Sequence, residues 1–366
     1  MFFKKRGWKA FAFTGALSMV LAACGSDDTE MGTVDDGNGE APASDEVTME
    51  EYNWQFVTEE MPGQVQYEYA AKFADLLNEK SDGQINIDVY EFGGLGSEVD
   101  QVEMLQNGAV QFAIVSPGFT GGMVAEGQVF ALQFLFPEDL EKTQEILNTS
   151  EAINTKLGEL YEAQNIKPLA FFTEGAMQWT GSRELRTPED FSGFKMRTQE
   201  SPLIIESYKA YGAAPSALSW GELYTGLQQG LVDGQENPIF FIEDARFHEQ
   251  QDHMTISNHN NYVAMATVNP DFYNGLPDDV RALVDETIEE MRPIVFDMQQ
   301  EMNESLLDSI IEDTDHPTEV IELTEAERDA FRELALPVRE YYRNEVVGDE
   351  GREILELLEE EIAAHE

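Results

Sequence analysis

Apolar and polar residues alternate along the chain in a way that predicts strands and helices in turn. A short aromatic and β-branched segment at 53–57 predicts a strand, and the apolar residues at helical spacing over 67–77 predict a helix. Ile85, Ile87 and Val89 then alternate with polar residues, as in a strand with one face more buried. A glycine-rich turn, a helical stretch and "AVQFAIVSP" follow. This β-α-β-α-β order predicts a mostly parallel sheet, with a ligand crevice at the carboxyl ends of its strands.

The second half of the chain begins with a similar pattern and ends in helices. Strand patterns in "KPLAFFTEG" and "FKMR" are followed by predicted helices at 201–211 and 219–229. From Pro277 the pattern is almost wholly helical, and Pro293 predicts a kink in a long amphipathic helix. The final predicted helix has four apolar residues on one face, at Ile354, Leu357, Leu358 and Ile362.

The first residues have the layout of a secretory signal. Four basic residues precede an apolar run at 10–20 that is too short to span a bilayer comfortably, and small residues follow it. The run ends in "LAAC", which resembles a bacterial lipoprotein signal in which Cys24 receives lipid, including palmitate. The alternative is an ordinary signal with a chance cysteine. Because the chain has one cysteine, no intramolecular disulfide or thiolate metal site is expected.

The predicted signal peptide, 1–23, precedes a predicted disordered acidic tether at 24–50. The tether is rich in Gly, Ser, Asp and Glu and nearly lacks large apolar side chains, so it has too little apolar surface to order itself. The remaining residues, 51–366, are numerous enough for two ordinary domains.

The chain is strongly acidic, with 72 Asp+Glu against 22 Lys+Arg and a formal net charge of −50. Such a charge repels nucleic acid and anionic lipid headgroups, so neither is an expected partner. Acids spread along the whole length are typical of proteins kept soluble in brine or alkaline water. The alternative is an acidic bias of the whole proteome.

A search for catalytic and cofactor motifs finds none. The sequence contains no phosphate-binding GxxxxGK[ST] loop, no HExxH, no GxSxG and no Cys/His cluster. Paired carboxylates are uninformative among so many acids. No catalytic residue, cofactor or metal is therefore predicted.

The stretch "FKMRTQESPLIIESYKAYGAAPSALSWGELYTGLQQGLVDGQENP", residues 194–238, resembles the solute-binding receptors of TRAP transporters. Their pattern is a lysine-x-arginine strand, a helix, a small-Pro turn, an E-x-Y-x-x-L-Q helix and "DGQENP". Because the motif spans several elements in order, it is much more specific than a lone short pattern. The resemblance continues from about Tyr52 to the C-terminus.

The resemblance implies an α/β, two-domain periplasmic-binding-protein-like fold with a cleft between the domains, crossing strands and a long kinked connecting helix. It also implies capture of a ligand carboxylate by Arg197, whose planar guanidinium meets a carboxylate bidentately. Asn237 matches the family's second polar contact. Small and large TRAP membrane subunits are the implied partners, the lipid anchor is the expected membrane attachment, and a monomer is expected. The expected division is 51–174 plus about 262–295 for domain I, and 175–261 plus about 296–366 for domain II.

Within the family, "NWQFVTEEMPGQVQ", "SPGFTG", "SWGELY" and "DGQENPIFFIE" look very like the receptors for ectoine and 5-hydroxyectoine. That resemblance implies ligand contacts from Glu60, Phe119 and Trp220. It also implies one from Tyr262, which stands where those receptors have phenylalanine. Met177 replaces an arginine of sialic-acid receptors, which argues against a large sugar acid.

The residues themselves agree with this subset. A zwitterion offers one carboxylate to Arg197 and a delocalised cationic ring that favours an anion and aromatic faces. A C4-dicarboxylate requires a second cation instead, and an acid in the site opposes it. Whether Glu59 or Glu60 faces the ligand stays open. The remaining alternatives are a C4-dicarboxylate, another monocarboxylate, or an extracytoplasmic enzyme or sensor on the same fold.

The lipoprotein signal generates the first prediction. We expect the mature protein in the membrane fraction to begin at a lipid-modified Cys24, and Cys24→Ser to abolish the modification, because the thiol is the acceptor. Mass spectrometry of the mature N-terminus measures this. An unmodified mature start at another residue would contradict it.

Overall fold

The computed structural model describes residues 51–365, which fold around two main β-sheets. The predicted signal peptide, Cys24 and the predicted tether lie outside the described residues. Within 51–365, none of the helices combines the length and the apolar character needed to cross a membrane.

The strands of the described part include two that consist of only two residues each. In chain order they are β1 (Tyr52–Val57), β2 (Ile85–Tyr90), β3 (Phe112–Val115), β4 (Lys167–Ala176), β5 (Gln178–Gly181), β6 (Arg197–Thr198), β7 (Ser216–Ala217), β8 (Gly234–Asn237), β9 (His253–Ile256), β10 (Asn261–Val268) and β11 (Glu319–Glu322).

The α-helices of the described part range from a single turn to 35 residues. They are α1 (Val65–Lys80), α2 (Glu98–Gln106), α3 (Pro117–Thr120), α4 (Leu140–Thr149), α5 (Gly158–Glu162), α6 (Pro202–Ala210), α7 (Trp220–Gln228), α8 (Ile239–Asp244), α9 (Pro270–Gly275), α10 (Asp278–Glu312), α11 (Glu325–Tyr341) and α12 (Asp349–Ala363).

The first sheet has the strand order β2-β1-β3-β10-β4, and the second has the order β11-β9-β5-β8. In the first sheet β1 is parallel to β2 and β3, whereas β10 runs antiparallel to β3 and β4. In the second sheet β5 runs antiparallel to β8 and β9, and β11 is parallel to β9. Each sheet is therefore mixed, with one reversed strand, whereas the sequence pattern predicts a mostly parallel sheet.

The reversed strands exist because the chain crosses twice between the sheets. We call the part around the first sheet the first lobe and the part around the second sheet the second lobe. The chain leaves β4 of the first lobe and enters β5 of the second through Met177, and it returns from β9 to β10 through 257–260. The two crossings form the hinge, and α10 packs against β4 and α8 alongside it.

Each sheet is covered by apolar residues on both faces, which explains why β3, "FAIV", is buried at every position. In α1, Val65, Tyr69, Phe73 and Leu77 form the buried face that the helical spacing predicts. These contacts fix the strand ends that carry the site.

The last helix packs differently from the expected division of the chain. In α12, Ile354, Leu358 and Ile362 belong to the same core cluster as Val57 of β1 and Ile153 of the first lobe. Residues 349–363 thus pack with the first lobe, although the sequence-based division assigns them to domain II. The other predicted domain boundaries remain predictions.

The long helix α10 contains Pro293 and continues through it without interruption. The predicted kink at Pro293 remains a prediction. Asn303 of the same helix joins the two lobes, because its amide donates to the carbonyl of Glu174 (2.9 Å) and its oxygen accepts from the N–H of Phe240 (3.2 Å). Glu174 lies near the end of β4, and Phe240 lies at the start of α8.

Gly175 generates a prediction about this hinge. It has φ +123°, and a Cβ on it would lie 2.5 Å from Nδ2 of Asn303. Gly175→Ala is therefore expected to lower the free energy of unfolding by about 1–3 kcal/mol, through backbone strain and displacement of Asn303. Urea unfolding measures the loss.

The matched control is Gly275→Ala, since a Cβ at Gly275 meets nothing within 4 Å and needs no positive φ. Equal stability of the two variants would contradict the assigned strain at Gly175.

Candidate functional site

Side chains from both lobes meet at the carboxyl ends of their strands, where the crevice is predicted. Ser116 and Tyr262 of the first lobe, with Gln199, Ser201 and Glu236 of the second, line a cavity of about 50 Å³. A cavity of this size has room for only a few water molecules. In this conformation the cavity is too small for an organic solute.

Arg197 is buried in the second lobe at the start of β6, with 4 % of its surface exposed. Within residues 51–365 its only hydrogen bond runs from Nε to the carbonyl of Leu218 (3.0 Å), and no carboxylate pairs with it. Burial lowers the pKa of Arg197 to about 10, and the charge of Glu236 opposes that shift. The guanidinium is therefore a charged group at neutral pH without a partner ion.

Glu59 lies just after β1, half-buried beside the cavity. The N–H of Ser116 donates to its Oε1 (3.1 Å), and the hydroxyl of Ser116 donates to its Oε2 (2.5 Å). The same hydroxyl lies 3.1 Å from the phenol oxygen of Tyr262. Burial raises the pKa of Glu59 to about 8, although the bonds from Ser116 favour its ionised form.

Glu60 is fully buried and points to a different set of partners. Its Oε2 accepts from the N–H of Gln66 (2.7 Å), and the Gln66 amide donates to Oε1 of Glu174 (2.9 Å). Burial, and then the charge of Glu174, raise the pKa of Glu60 well above its usual value. Burial also raises the pKa of Glu174 to about 7. Sequence reasoning missed Glu174, because one acid among 72 carries no signal of burial.

Two of the predicted aromatic residues, Trp220 and Tyr262, are connected by Phe241, which the sequence analysis did not single out. Phe241 of α8 contacts Trp220 at a ring-centroid distance of 5.0 Å and Tyr262 at 5.6 Å. Trp220 also packs on Phe247 at 5.1 Å. Phe119, on α3, is half-buried and makes no ring contact with the other described aromatics. Phe241 lies within "DGQENPIFFIE", but adjacent phenylalanines do not reveal which one faces the site.

Asn237, at the end of β8, is buried, and its amide donates to Oε1 of Gln235. Its neighbour Glu236 lines the cavity and was also missed. Oε2 of Glu236 accepts from the hydroxyl of Tyr208 (2.5 Å) and lies 2.6 Å from Nε2 of His259. These partners fix one carboxylate oxygen on the second-lobe wall of the cavity.

Ser257, His259 and Glu236 form a serine–histidine–carboxylate chain, with Oγ of Ser257 2.7 Å from Nδ1 of His259. Ser257 and His259 have no exposed surface, so a substrate cannot reach the hydroxyl. These three side chains therefore form a buried hydrogen-bond network rather than a catalytic triad. Within the described residues, no group of His, Cys, Asp or Glu side chains has an arrangement that would hold a metal.

Comparison with known proteins identifies the relatives of this chain. Residues 56–345 match the family model DctP, described as bacterial extracellular solute-binding protein, family 7. The chain is 36 % identical over 312 residues to the ectoine-binding periplasmic protein TeaA of Halomonas elongata, covering 85 % of this chain and 90 % of TeaA. It is 35 % identical over 311 residues to the ectoine/5-hydroxyectoine-binding periplasmic protein UehA of Ruegeria pomeroyi, covering 85 % and 91 %.

A further relative has a different named ligand, and solved structures match the fold. The chain is 34 % identical over 272 residues to the C4-dicarboxylate-binding periplasmic protein DctP of Rhodobacter capsulatus, covering 74 % of this chain and 80 % of that protein. The structure of the ectoine-binding protein of the TeaABC TRAP transporter from Halomonas elongata superimposes with a TM-score of 0.81 at 36 % identity, covering 85 % and 99 %. The predicted α/β two-domain fold is therefore confirmed.

Proposed function

Because the chain belongs to the DctP family of bacterial extracellular solute-binding proteins and is a TRAP solute receptor, we propose that its ligand is ectoine or 5-hydroxyectoine. The protein binds small solutes outside the cytoplasm and works with TRAP membrane components, as its relatives do. The ligand, the site residues, the lipid anchor at Cys24 and the monomeric state belong to the proposal.

The buried guanidinium of Arg197 is the observation that carries the proposal. A buried cation without a partner ion is costly, and a ligand carboxylate removes that cost when it forms a bidentate ion pair. Arg197 lies on the second lobe, so the pair contributes to holding the lobes together around the solute. We assign Asn237, from the same lobe, as a further polar contact.

The charges around the cavity favour a zwitterion. The described residues that line it include the acid Glu236 but no lysine or arginine, and Arg197 itself stands outside this lining. Acids stand on both walls, Glu59 behind Ser116 on the first lobe and Glu236 on the second. A ligand with one carboxylate and one cationic ring matches Arg197 and these acids together.

We assign the contact with the ligand's cation to Glu59 rather than Glu60. The partner of Glu59, Ser116, lines the cavity, whereas neither Gln66 nor Glu174, the partners of Glu60, does so. Glu60, the residue implied by the family resemblance, is then separated from the cavity by the residues that line it.

The aromatic residues complete the proposed site. Trp220, Phe241 and Tyr262 form a connected aromatic group, and each cation–π contact with a desolvated ring contributes about 0.5–2 kcal/mol. Phe119 adds a fourth face from α3. The hydroxyl of Tyr262, which phenylalanine lacks, stays near Ser116 and offers a polar contact that distinguishes this site from those of the receptors it resembles.

A C4-dicarboxylate is the alternative ligand, since a relative of similar identity is named for that class. The acids beside the cavity, Glu59 and Glu236, argue against a second ligand carboxylate. The serine–histidine–carboxylate arrangement of Ser257, His259 and Glu236 gives an enzymatic role no support, because Ser257 is fully buried.

The ligand assignment is tested by calorimetric titration of the protein without its first 50 residues with ectoine, hydroxyectoine, succinate, malate and sialic acid. We expect one or both ectoines to bind most tightly, because only they satisfy Arg197 and the acids at once. Tighter binding of a dicarboxylate than of both ectoines would reject the osmolyte and favour the alternative.

Arg197→Ala is expected to weaken binding more than any change at Phe119, Trp220 or Tyr262. Truncating one partner of a buried charge pair costs about 2–5 kcal/mol, which is roughly thirty- to several-thousand-fold in affinity. Arg197→Lys should recover only part of the loss, since the charge remains but the planar fork is gone. Calorimetry with ectoine measures both variants, and an Arg197→Ala affinity within about threefold of wild type would exclude the proposed ion pair.

A further inference from the structure

Glu60 and Glu174 form a buried carboxyl pair that the binding of a carboxylate does not require. Both side chains are fully buried, and Gln66 bridges them by donating to one oxygen of each. The remaining oxygens, Oε1 of Glu60 and Oε2 of Glu174, are buried and accept from no other group in the described part, and the two carboxyl groups share a hydrogen bond with each other. No cation among residues 51–365 forms an ion pair with either group.

Two ionised carboxylates cannot stay together in such a place at low cost, so one proton held by the pair is the stable arrangement. The second proton site nearby is Glu59, which Ser116 orients. The raised pKa values, about 7 for Glu174 and about 8 for Glu59, agree with this arrangement.

The groups that face this pair come from several elements. Gln66 of α1 is its bridge, Tyr262 of β10 lies beside Gly175 in register, and Asn303 of α10 holds the carbonyl of Glu174. The titratable or charged groups around the pair and across the cavity from it are Glu59, Glu98, Tyr262, Arg197 and Glu236.

We propose that Glu174 is a positioning residue for ligand charge: with Glu60 it holds one proton, and the cation of the bound solute displaces that proton to solvent. The inference rests on the proposed function, because it needs a ligand with a cationic group. Glu174 does not touch the solute. It determines, through Glu60, how much negative charge the first-lobe wall presents.

The pair therefore selects for cationic solutes by a proton exchange. A cation gains attraction when the proton leaves, whereas a dianion is repelled by the same ionised pair. Because the ionised pair binds the cation better, affinity for a zwitterion rises with pH for as long as the free pair still holds its proton, and burial together with the charge of Glu174 keeps the pKa of Glu60 well above its usual value. The affinity changes by up to about tenfold per pH unit for each proton released.

The test is calorimetric titration of the full chain, solubilised in detergent, with ectoine between about pH 5.5 and about pH 8.5. Repeating each titration in buffers of different ionisation enthalpy counts the protons released. The charges of ectoine do not change over this range, so released protons come from the protein. The wild type is expected to release close to one proton more than Glu174→Gln between about pH 7 and about pH 8, where Glu174 is ionised and Glu60 keeps the shared proton, and the variant's affinity should depend less steeply on pH.

Glu361→Gln is the control for the same carboxylate-to-amide change outside the site, because Glu361 also accepts a side-chain hydrogen bond, from the hydroxyl of Ser150, but stands on α12. Its proton release should equal that of wild type. The same titration of Glu59→Gln measures how many of the released protons come from Glu59.

The outcomes are distinguishable. If ectoine binds wild type without proton release, the inference is wrong while the proposed function stands. If ectoine does not bind at any pH, the proposed function itself fails. Equal release by wild type and Glu174→Gln would assign the proton elsewhere and reject the role of Glu174. The wild-type measurement decides even if Glu174→Gln fails to fold.

Discussion

The buried charge of Arg197 is the constraint around which the rest of the site is arranged. An unpaired guanidinium inside a protein is unfavourable, and here only the carbonyl of Leu218 and more distant acids moderate it within the described residues. The first lobe supplies no carboxylate to neutralise it. The acids of the first lobe accept hydrogen bonds from Ser116 and Gln66 instead. Within the described residues, the charge of Arg197 is therefore not neutralised by an ion pair with either lobe.

This separation of charge depends on the hinge. Because β4 continues into β5 and β9 into β10, the acids of the first lobe and Arg197 of the second are carried by different sheets. Burial raises the pKa of each of these first-lobe acids, so in water-poor surroundings their attraction to Arg197 becomes strong only when they ionise. A zwitterionic solute that binds between Arg197 and the first-lobe acids contacts Arg197 with its carboxylate and the acids with its cationic group.

Much of this arrangement follows from sequence patterns, and the part that does not has a physical reason. The periodicity of β2, α1 and α7 predicts these elements well, because one buried face leaves a regular trace. Arg197 and Asn237 are recognisable since they stand within a long ordered motif. Glu174, Glu236 and Phe241 are not, because their roles come from contacts between elements far apart in the sequence, which no local spacing encodes. The place of α12 in the first lobe is hidden for the same reason.

The helix α10 is a single rod built into both lobes. Val284 and Met291 near its beginning pack in a first-lobe core cluster, whereas Ile310 near its end packs in a second-lobe cluster. Rotation of one lobe against the other must therefore flex the rod or slide one of its ends. Its bending stiffness sets the range of that rotation. Val295, beyond Pro293, still packs in the first-lobe cluster, so the part of the rod that lies between its two anchors runs from Val295 to Ile310.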